Sequence, residues 1–302
     1  MGSVGEVSKV EVAEEEKKGS KENGNKKKRK IIFQYGNYNR YYGYRVGSTL
    51  EEDPRMSLMR KSWFEDKDVI DVGCNEGHVT ISLVQKYRVR SMCGLDIDPG
   101  LIHKAWKNLE NEAGVTEGRT VKSLYQWSDY VYEEGMDWLD CDDEDFEKPA
   151  LTGTSAETTI DDKMEGGLEG MELLERVIFK NANVLHCNLR SNIVDTVLCL
   201  SVVKWIHLNW GDEGLLEFFI MTYRTLRPGG AFILEPQPWS SYERKCRVSE
   251  VCRQNFRNMI LRPDHFPGIL LEQIGFKSCE EISLEVPNST KGFSRPLYLF
   301  TK

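Results

Sequence analysis

The sequence predicts an α/β chain built on a mostly parallel, doubly wound sheet with an antiparallel edge. Three observations lead there. Short apolar, β-branched runs alternate with helical segments, as a parallel sheet with crossover helices requires. A glycine-bearing turn follows the first run, and an acid closes the second. Two more strand-like runs come late, after the last long helical stretch, where an antiparallel edge pair is added.

Taken in order, Asp68-Val69-Ile70-Asp71-Val72 is a β-branched run ending in Gly73, and a helical stretch follows Gly77 through Tyr87. Ser91-Met92-Cys93-Gly94-Leu95-Asp96 is the second strand, and Pro99, suited to a first helical turn, opens a helix to about Glu112. Val177-Ile178-Phe179 and Val184-Leu185-His186 frame a third strand. Residues 195–200 form a fourth, almost wholly apolar as a strand buried on both faces must be. Leu216, Phe219, Ile220, Tyr223 and Leu226 then recur on one helical face. Arg227-Pro228-Gly229-Gly230 stops that helix, and residues 231–235 read as a fifth strand. Helical pattern returns between residues 250 and 273, and strands are expected at 281–286 and 297–300.

With 40% hydrophobic and 29% charged residues, the 302-residue composition is globular and excludes collagen-like and wholly disordered chains. No apolar run approaches the roughly 18–20 residues that cross a bilayer, and the first residues lack a signal-peptide core, which predicts a soluble intracellular chain with no membrane partner. The eight cysteines are scattered without a CxxC pair, so neither a disulfide framework nor a metal site is expected.

The net charge of −8 argues at first against a nucleic-acid partner, but the charge is unevenly spread. Residues 129–172 hold 16 Asp and Glu against Lys148 and Lys163, a local −14 that leaves +6 for everything else. Rich in Gly, Ser and Thr, this stretch reads as a low-complexity, disordered insertion in one domain spanning residues 31–302. Residues 1–30 read as a disordered basic tail ending in Lys26-Lys27-Lys28-Arg29-Lys30, a nuclear-import or phosphate-binding candidate.

Chemistry concentrates in the first crossover. Asp71-Val72-Gly73-Cys74-Asn75-Glu76-Gly77 forms the turn after the first strand, where glycines let a ligand approach the backbone. Its G-x-x-x-G pattern is not the G-x-G-x-x-G of a dinucleotide site. Asp96, at the end of the second strand, is placed to accept both hydroxyls of a ribose. Asp71, the glycine turn and Asp96 together resemble class I methyltransferases that bind S-adenosylmethionine; the plainer alternative is a tight turn and a capping acid in another α/β protein. After the fourth strand stands Ser201-Val202-Val203-Lys204, without the (Asp/Asn)-Pro-Pro-aromatic string of base N-methyltransferases. A lysine there suits a phosphate acceptor, which is already anionic and needs charge and positioning rather than a base. Its alternative is a surface lysine with its stem on apolar neighbours.

Five longer strings narrow the class: Phe33-Gln34-Tyr35-Gly36-Asn37-Tyr38, Tyr41-Tyr42-Gly43-Tyr44-Arg45, Lys204-Trp205-Ile206-His207-Leu208-Asn209-Trp210-Gly211-Asp212, Leu234-Glu235-Pro236-Gln237-Pro238-Trp239 and Lys291-Gly292-Phe293-Ser294-Arg295-Pro296. From about Phe33 onward, the acidic stretch apart, the chain resembles the bicoid-interacting family of RNA methyltransferases. The resemblance implies a class I, Rossmann-like seven-stranded fold and transfer of a methyl group from S-adenosylmethionine to the terminal (gamma) phosphate at the 5′ end of a small noncoding RNA, leaving S-adenosylhomocysteine. Carried over residue by residue, it implies that Tyr42 and Arg55 fold over the donor, that Gly73, Cys74 and Asn75 form the donor loop, and that Asp96 and Ile97 hold ribose and adenine. Asn188, Leu189 and Leu200 then line the adenine and methionine ends, while Lys204, Tyr41, His207 and Arg295 hold the RNA 5′ phosphate. His207 also reads as a structural histidine, and Trp205 and Trp210 as walls. The implied setting is a nuclear monomer, also present in the cytoplasm, with RNA-binding proteins of a small nuclear ribonucleoprotein as companions. Alternatives are a 5′ monophosphate on a short hairpin RNA as acceptor, or a noncatalytic RNA-binding scaffold.

Overall fold

The computed structural model describes residues 33–38, 53–114, 167–282 and 295–302, all within the unit Phe33–Lys302. The basic tail, Tyr41 and Tyr42, and residues 129–166 of the acidic stretch lie outside the described residues.

Seven strands, β1 (Asp68–Val72), β2 (Ser91–Asp96), β3 (Val177–Asn181), β4 (Val194–Leu200), β5 (Leu226–Glu235), β6 (Ser278–Ile282) and β7 (Leu297–Thr301), form one sheet ordered β3-β2-β1-β4-β5-β7-β6. β1 pairs in parallel with β2 (Asp68 opposite Ser91) and with β4 (Val69 opposite Thr196), and β7 alone runs antiparallel, between β5 and β6. The order reverses at β1 and β4, so their carboxyl ends open the crevice where such sheets bind ligands.

The sequence makes this sheet two-faced. Val69, Met92, Leu198 and Ile233 point into one core, with Val79, Leu83 and Ile102 of the helices α1 (His78–Tyr87) and α2 (Pro99–Glu112). Their strand neighbours Ile70, Cys93, Cys199 and Phe232 point into the other, against Leu215, Phe218 and Phe219 of the helix α4 (Val203–Thr225). This is the period-2 alternation of a sheet covered on both sides. A smaller core joins Trp205 and Leu208 to Tyr242, Cys246 and Cys252 of the helices α5 (Trp239–Lys245) and α6 (Glu250–Asn258).

Local chemistry sets the helix starts. Asp98 caps α2, its side chain accepting from Gly100 N (2.8 Å) and Leu101 N (3.1 Å), with Pro99 in the first turn. Gly77 precedes α1 at φ 78°, and a Cβ there would sit 2.5 Å from the Phe179 ring. No helix among the described residues is long and apolar enough to cross a membrane.

The structure corrects the expected elements in four places. Residues 167–172, counted within the acidic stretch, belong to the helix α3 (Gly167–Arg176), which buries Leu173 and Leu174. β5 is counted from Leu226, five residues earlier than expected, but its ladder to β4 passes from Leu226 opposite Val194 directly to Ala231 opposite Thr196, so Arg227-Pro228-Gly229-Gly230 bulges out of the pairing just after the helix ends at Thr225. β6 starts at Ser278, three residues before the expected strand, because its pairing with β7 outweighs a polar composition. The stretch from 250 to 273 is interrupted after Asn258, a 3-10 turn Pro263–His265 intervening before helical structure resumes at Phe266.

Candidate active site

The carboxyl ends of β1, β2, β4 and β5 surround a cavity of about 490 Å3. Gly73 and Asn75 enter it after β1, Asp96 and Ile97 at the end of β2, Leu200 and Ser201 at the end of β4, and Gln237 after β5.

One side is a shaped loop with an acid. Gly73 has φ 75°, and a Cβ would stand 2.1 Å from Cγ2 of Val202, so only glycine lets the β1 turn lie against the exit of β4. The amides of Gly73 and Cys74 both donate to Leu95 O, at 2.7 and 3.0 Å, tying the turn to β2. Asp96 is pinned from both sides: Asn75 N donates to Oδ2 and Asp98 N to Oδ1, each at 3.0 Å. Each carboxylate oxygen keeps acceptor capacity for a further donor. Burial pushes the Asp96 carboxyl up to about 6 against those two amide bonds. Behind it, Asp71 accepts from Thr80 Oγ1 at 2.7 Å, and burial lifts it likewise to about 6. The amide oxygens of Asn37 and Asn75, both at the cavity, are buried with no hydrogen-bond partner among the described residues.

Residues 33–38 lie along the cavity as a strap. Gln34 Nε2 donates to Asn209 Oδ1, and Asn209 Nδ2 donates back to Gln34 O, both at 3.1 Å. Asn37 Nδ2 donates to Asp98, and Asn75 Nδ2 to Tyr38 O. Gly36, at φ 73°, passes so close to Trp205 that a Cβ would fall 2.0 Å from its Nε1.

The other side is cationic. Arg55, on the 3-10 turn Pro54–Leu58, is buried and matched by acids: Nη2 meets Asp53 at 2.7 Å and Nη1 meets Glu235 at 3.1 Å. Arg295 Nη1 donates to Ser201 Oγ at 2.9 Å, and Ser201 in turn donates to Glu235. Lys204 differs. Only 5% exposed, its Nζ donates to Ser241 Oγ at 3.0 Å and lies 4.3 Å from the Trp205 ring centre, with no carboxylate in ion-pair reach among the described residues. Burial, then the charges of Arg295, Lys245 and Arg244, push this ammonium down to about 7. A buried, unmatched cation beside two more lining cations, Lys245 and Arg295, is an anion site by elementary electrostatics.

Of the residues expected at the site, Arg55, Gly73, Asn75, Asp96, Ile97, Leu200, Lys204 and Arg295 line this one cavity. Others stand elsewhere. Cys74 turns its side chain into the core, and burial pushes the thiol well up. Asn188 is exposed and Leu189 packs on the core, because the 3-10 turn Val184–His186 presents Ala182, Asn183 and Val184 to the cavity instead. His207 is fully buried outside the cavity lining, its Nε2 2.6 Å from Asp212 Oδ1 and its ring against Tyr242 and Phe266. Tyr41 and Tyr42 lie outside the described residues. The strap, Ser201, Gln237, Ser241 and Lys245 carried no expected role; the Gln34–Tyr38 and Pro-Gln-Pro strings were the available signals.

A seven-stranded sheet in this order, with a glycine turn after β1 and an acid ending β2, defines the class I methyltransferase fold. The chain belongs to the Bicoid-interacting protein 3 (Bin3) family, whose profile matches residues 194–302. An Arabidopsis thaliana protein named as an RNA methyltransferase is 39% identical over 281 residues, covering 92% of this chain and 83% of that one. The Drosophila melanogaster U6 snRNA methylphosphate capping enzyme Amus is 34% identical, over 90% of this chain and 76% of its own. The 7SK snRNA methylphosphate capping enzyme of Mus musculus is 38% identical over 91% of this chain, which spans only 42% of that protein's length.

Proposed function

We propose that this protein is an S-adenosylmethionine-dependent RNA methyltransferase that acts on the 5′-terminal (gamma) phosphate of a small noncoding RNA. The observation that carries the reading is Lys204, a buried ammonium with no carboxylate in ion-pair reach among the described residues, in the same cavity as the Gly73 turn and Asp96. The residues present fit the donor. Asp96 retains acceptor capacity for ribose hydroxyls, the buried amide oxygens of Asn37 and Asn75 lack partners among the described residues, and about 490 Å3 lies within the range of cofactor sites. Gly73, Asn75, Asp96, Ile97 and Leu200 would hold it, with the strap of residues 33–38 against it. When bound, the donor supplies a methyl group on a sulfonium.

The chain's own contribution is charge and position. A phosphate oxygen is anionic at neutral pH, so no side chain must remove a proton from it. Lys204 and Arg295 bind and orient that anion, and an arriving phosphate favours the protonated form of Lys204. Ser241 and the Trp205 face fix where the ammonium stands, and Trp205 and the strap limit water access. The small nuclear RNAs named for the relatives support a nuclear setting; the proposal adds RNA-binding proteins of a small nuclear ribonucleoprotein as companions and a chain that acts as a monomer.

The test is methyl transfer from labelled S-adenosylmethionine to matched RNAs bearing a 5′ triphosphate, a 5′ monophosphate or a 5′ hydroxyl. The triphosphate RNA should be labelled at its end and the hydroxyl RNA not at all. Transfer to the hydroxyl RNA or to an internal base overturns the phosphate-acceptor reading, and preference for the monophosphate moves it to processed RNA ends.

A further inference from the structure

α5 ends at Lys245, which lines the cavity just described. The next two residues, Cys246 and Arg247, line a second hollow of about 500 Å3, whose other wall is Arg253, Phe256 and Arg257 of α6. A single peptide bond therefore separates the linings of the two hollows.

The second hollow is cationic. Arg253 pairs with Glu250 at 2.6 Å, whereas Arg247 and Arg257 are exposed and meet no carboxylate among the described residues. Residues 243–262 carry six Lys and Arg against only Glu243 and Glu250. Its wall is stiff: Phe256 stacks on Trp239 with centroids 4.8 Å apart and planes at 18°, and the Arg262 guanidinium lies 4.0 Å over the Trp239 ring. Planar guanidinium groups match phosphate oxygens, and an aromatic ring accepts any base on its face.

We propose that this arginine groove is a second subsite for the RNA, binding the phosphodiester backbone downstream of the end nucleotide. The inference rests on the 5′-phosphate reading and extends it: a strand whose end is held at Lys204 and Arg295, in the cavity that Lys245 lines, continues past Cys246 into the groove. That its lining begins at the residue after Lys245 of the cavity favours RNA over an acidic peptide, which has no reason to lie beside the end-phosphate site.

The double variant Arg247→Gln/Arg257→Gln tests it with two substrates, a 5′-triphosphate RNA of about 16 nucleotides and a 5′-triphosphate dinucleotide. For the longer RNA, KM should rise several-fold, and the slope of log KM against log salt should shrink by about 1.4, roughly 0.7 for each lost single-strand phosphate contact. Dinucleotide kinetics and donor affinity should stay as in the wild type. Unchanged KM and salt slope on the longer RNA overturn the proposal, as does an equal loss on the dinucleotide. Wild-type protein that methylates no 5′-phosphate RNA sinks the underlying reading instead. Fluorescence anisotropy with the longer RNA then decides the groove alone, equal affinity of wild type and variant overturning it.

Discussion

Asp96 and Lys204 face one cavity, and burial moves them toward neutrality from opposite sides. Losing a charge-assisted hydrogen bond costs about 1.5–3 kcal/mol, so Asp96→Ala should weaken S-adenosylmethionine binding roughly 10- to 150-fold by calorimetry. The ionised carboxylate is the better acceptor, so wild-type donor affinity should climb as pH rises through about 6, and this climb should vanish in Asp96→Asn. Lys204→Ala should depress kcat by on the order of 100-fold while donor affinity stays within error, and Lys204→Arg should restore part of the rate. Because Lys204 sheds its proton near 7 in the free enzyme, KM for RNA should rise with pH above that point in the wild type and stay flat in Lys204→Arg. An RNA KM independent of pH across that range in the wild type would count against Lys204 as the phosphate cation. Gly73, Asp96 and Lys204 were legible in the sequence because each sits at a fixed step from the end of a strand. Cys74 and Asn188 were not: which way a loop side chain turns depends on β2 and on the 3-10 turn after β3. His207 shares the sequence neighbourhood of Lys204, yet Asp212 and Tyr242 claim it.

At the scale of elements, legibility followed burial. β1, β2 and β4 are short apolar runs enclosed by neighbours, and their boundaries could be read to within a residue. β6 carries Glu280 and Glu281 and is half-exposed along its length, so its identity comes from β7 and not from its own residues. The non-helical Gly211 inside α4, at φ 69° and ψ −168°, has no periodic signature either; Asp212, accepting from Ile260 N at 2.8 Å, ties the helix there to the segment after α6. α3 is a packing element despite its acidic approach. A Cβ on Gly170 would stand 2.3 Å from the carbonyl oxygen of Ala113, at the end of α2. Gly170→Ala should therefore cost about 1–3 kcal/mol of overpacking against roughly 1 kcal/mol of helix propensity gained, a net loss of stability of up to about 2 kcal/mol. Urea unfolding with an unchanged or higher midpoint would show that α3 shifts freely.

For the molecule as a whole, charge and pH set the terms. Two buried carboxyls, Asp71 and Asp96, hold protons up to about 6 that the unfolded chain gives up near 3.8. Over that window the native state binds more protons, so their contribution to stability falls as pH rises. The slope of Tm between pH 4.5 and 6.5 should accordingly be less negative in Asp96→Asn than in the wild type, and equal slopes would refute the raised value. The −14 of residues 129–172 stands apart from a +6 remainder. Removing residues 129–166 behind a short Gly/Ser bridge, with α3 left intact, should preserve the circular dichroism spectrum and tighten nonspecific RNA binding at low salt. Unaltered RNA affinity would deny the acidic stretch any competing role.

The place of β7 bears on how the enzyme is made. β5 and β6 both precede it in the chain, yet β6 joins the sheet through β7, which pairs with each of them. A nascent chain still short of Leu297 therefore carries two unpaired strand edges, the kind of surface on which chaperones act and aggregates grow. Arg295 arrives with that same strand, bonded to Ser201 only once β7 is in register. Synthesis thus delivers Arg295 to the cavity last, together with the strand that seals the sheet.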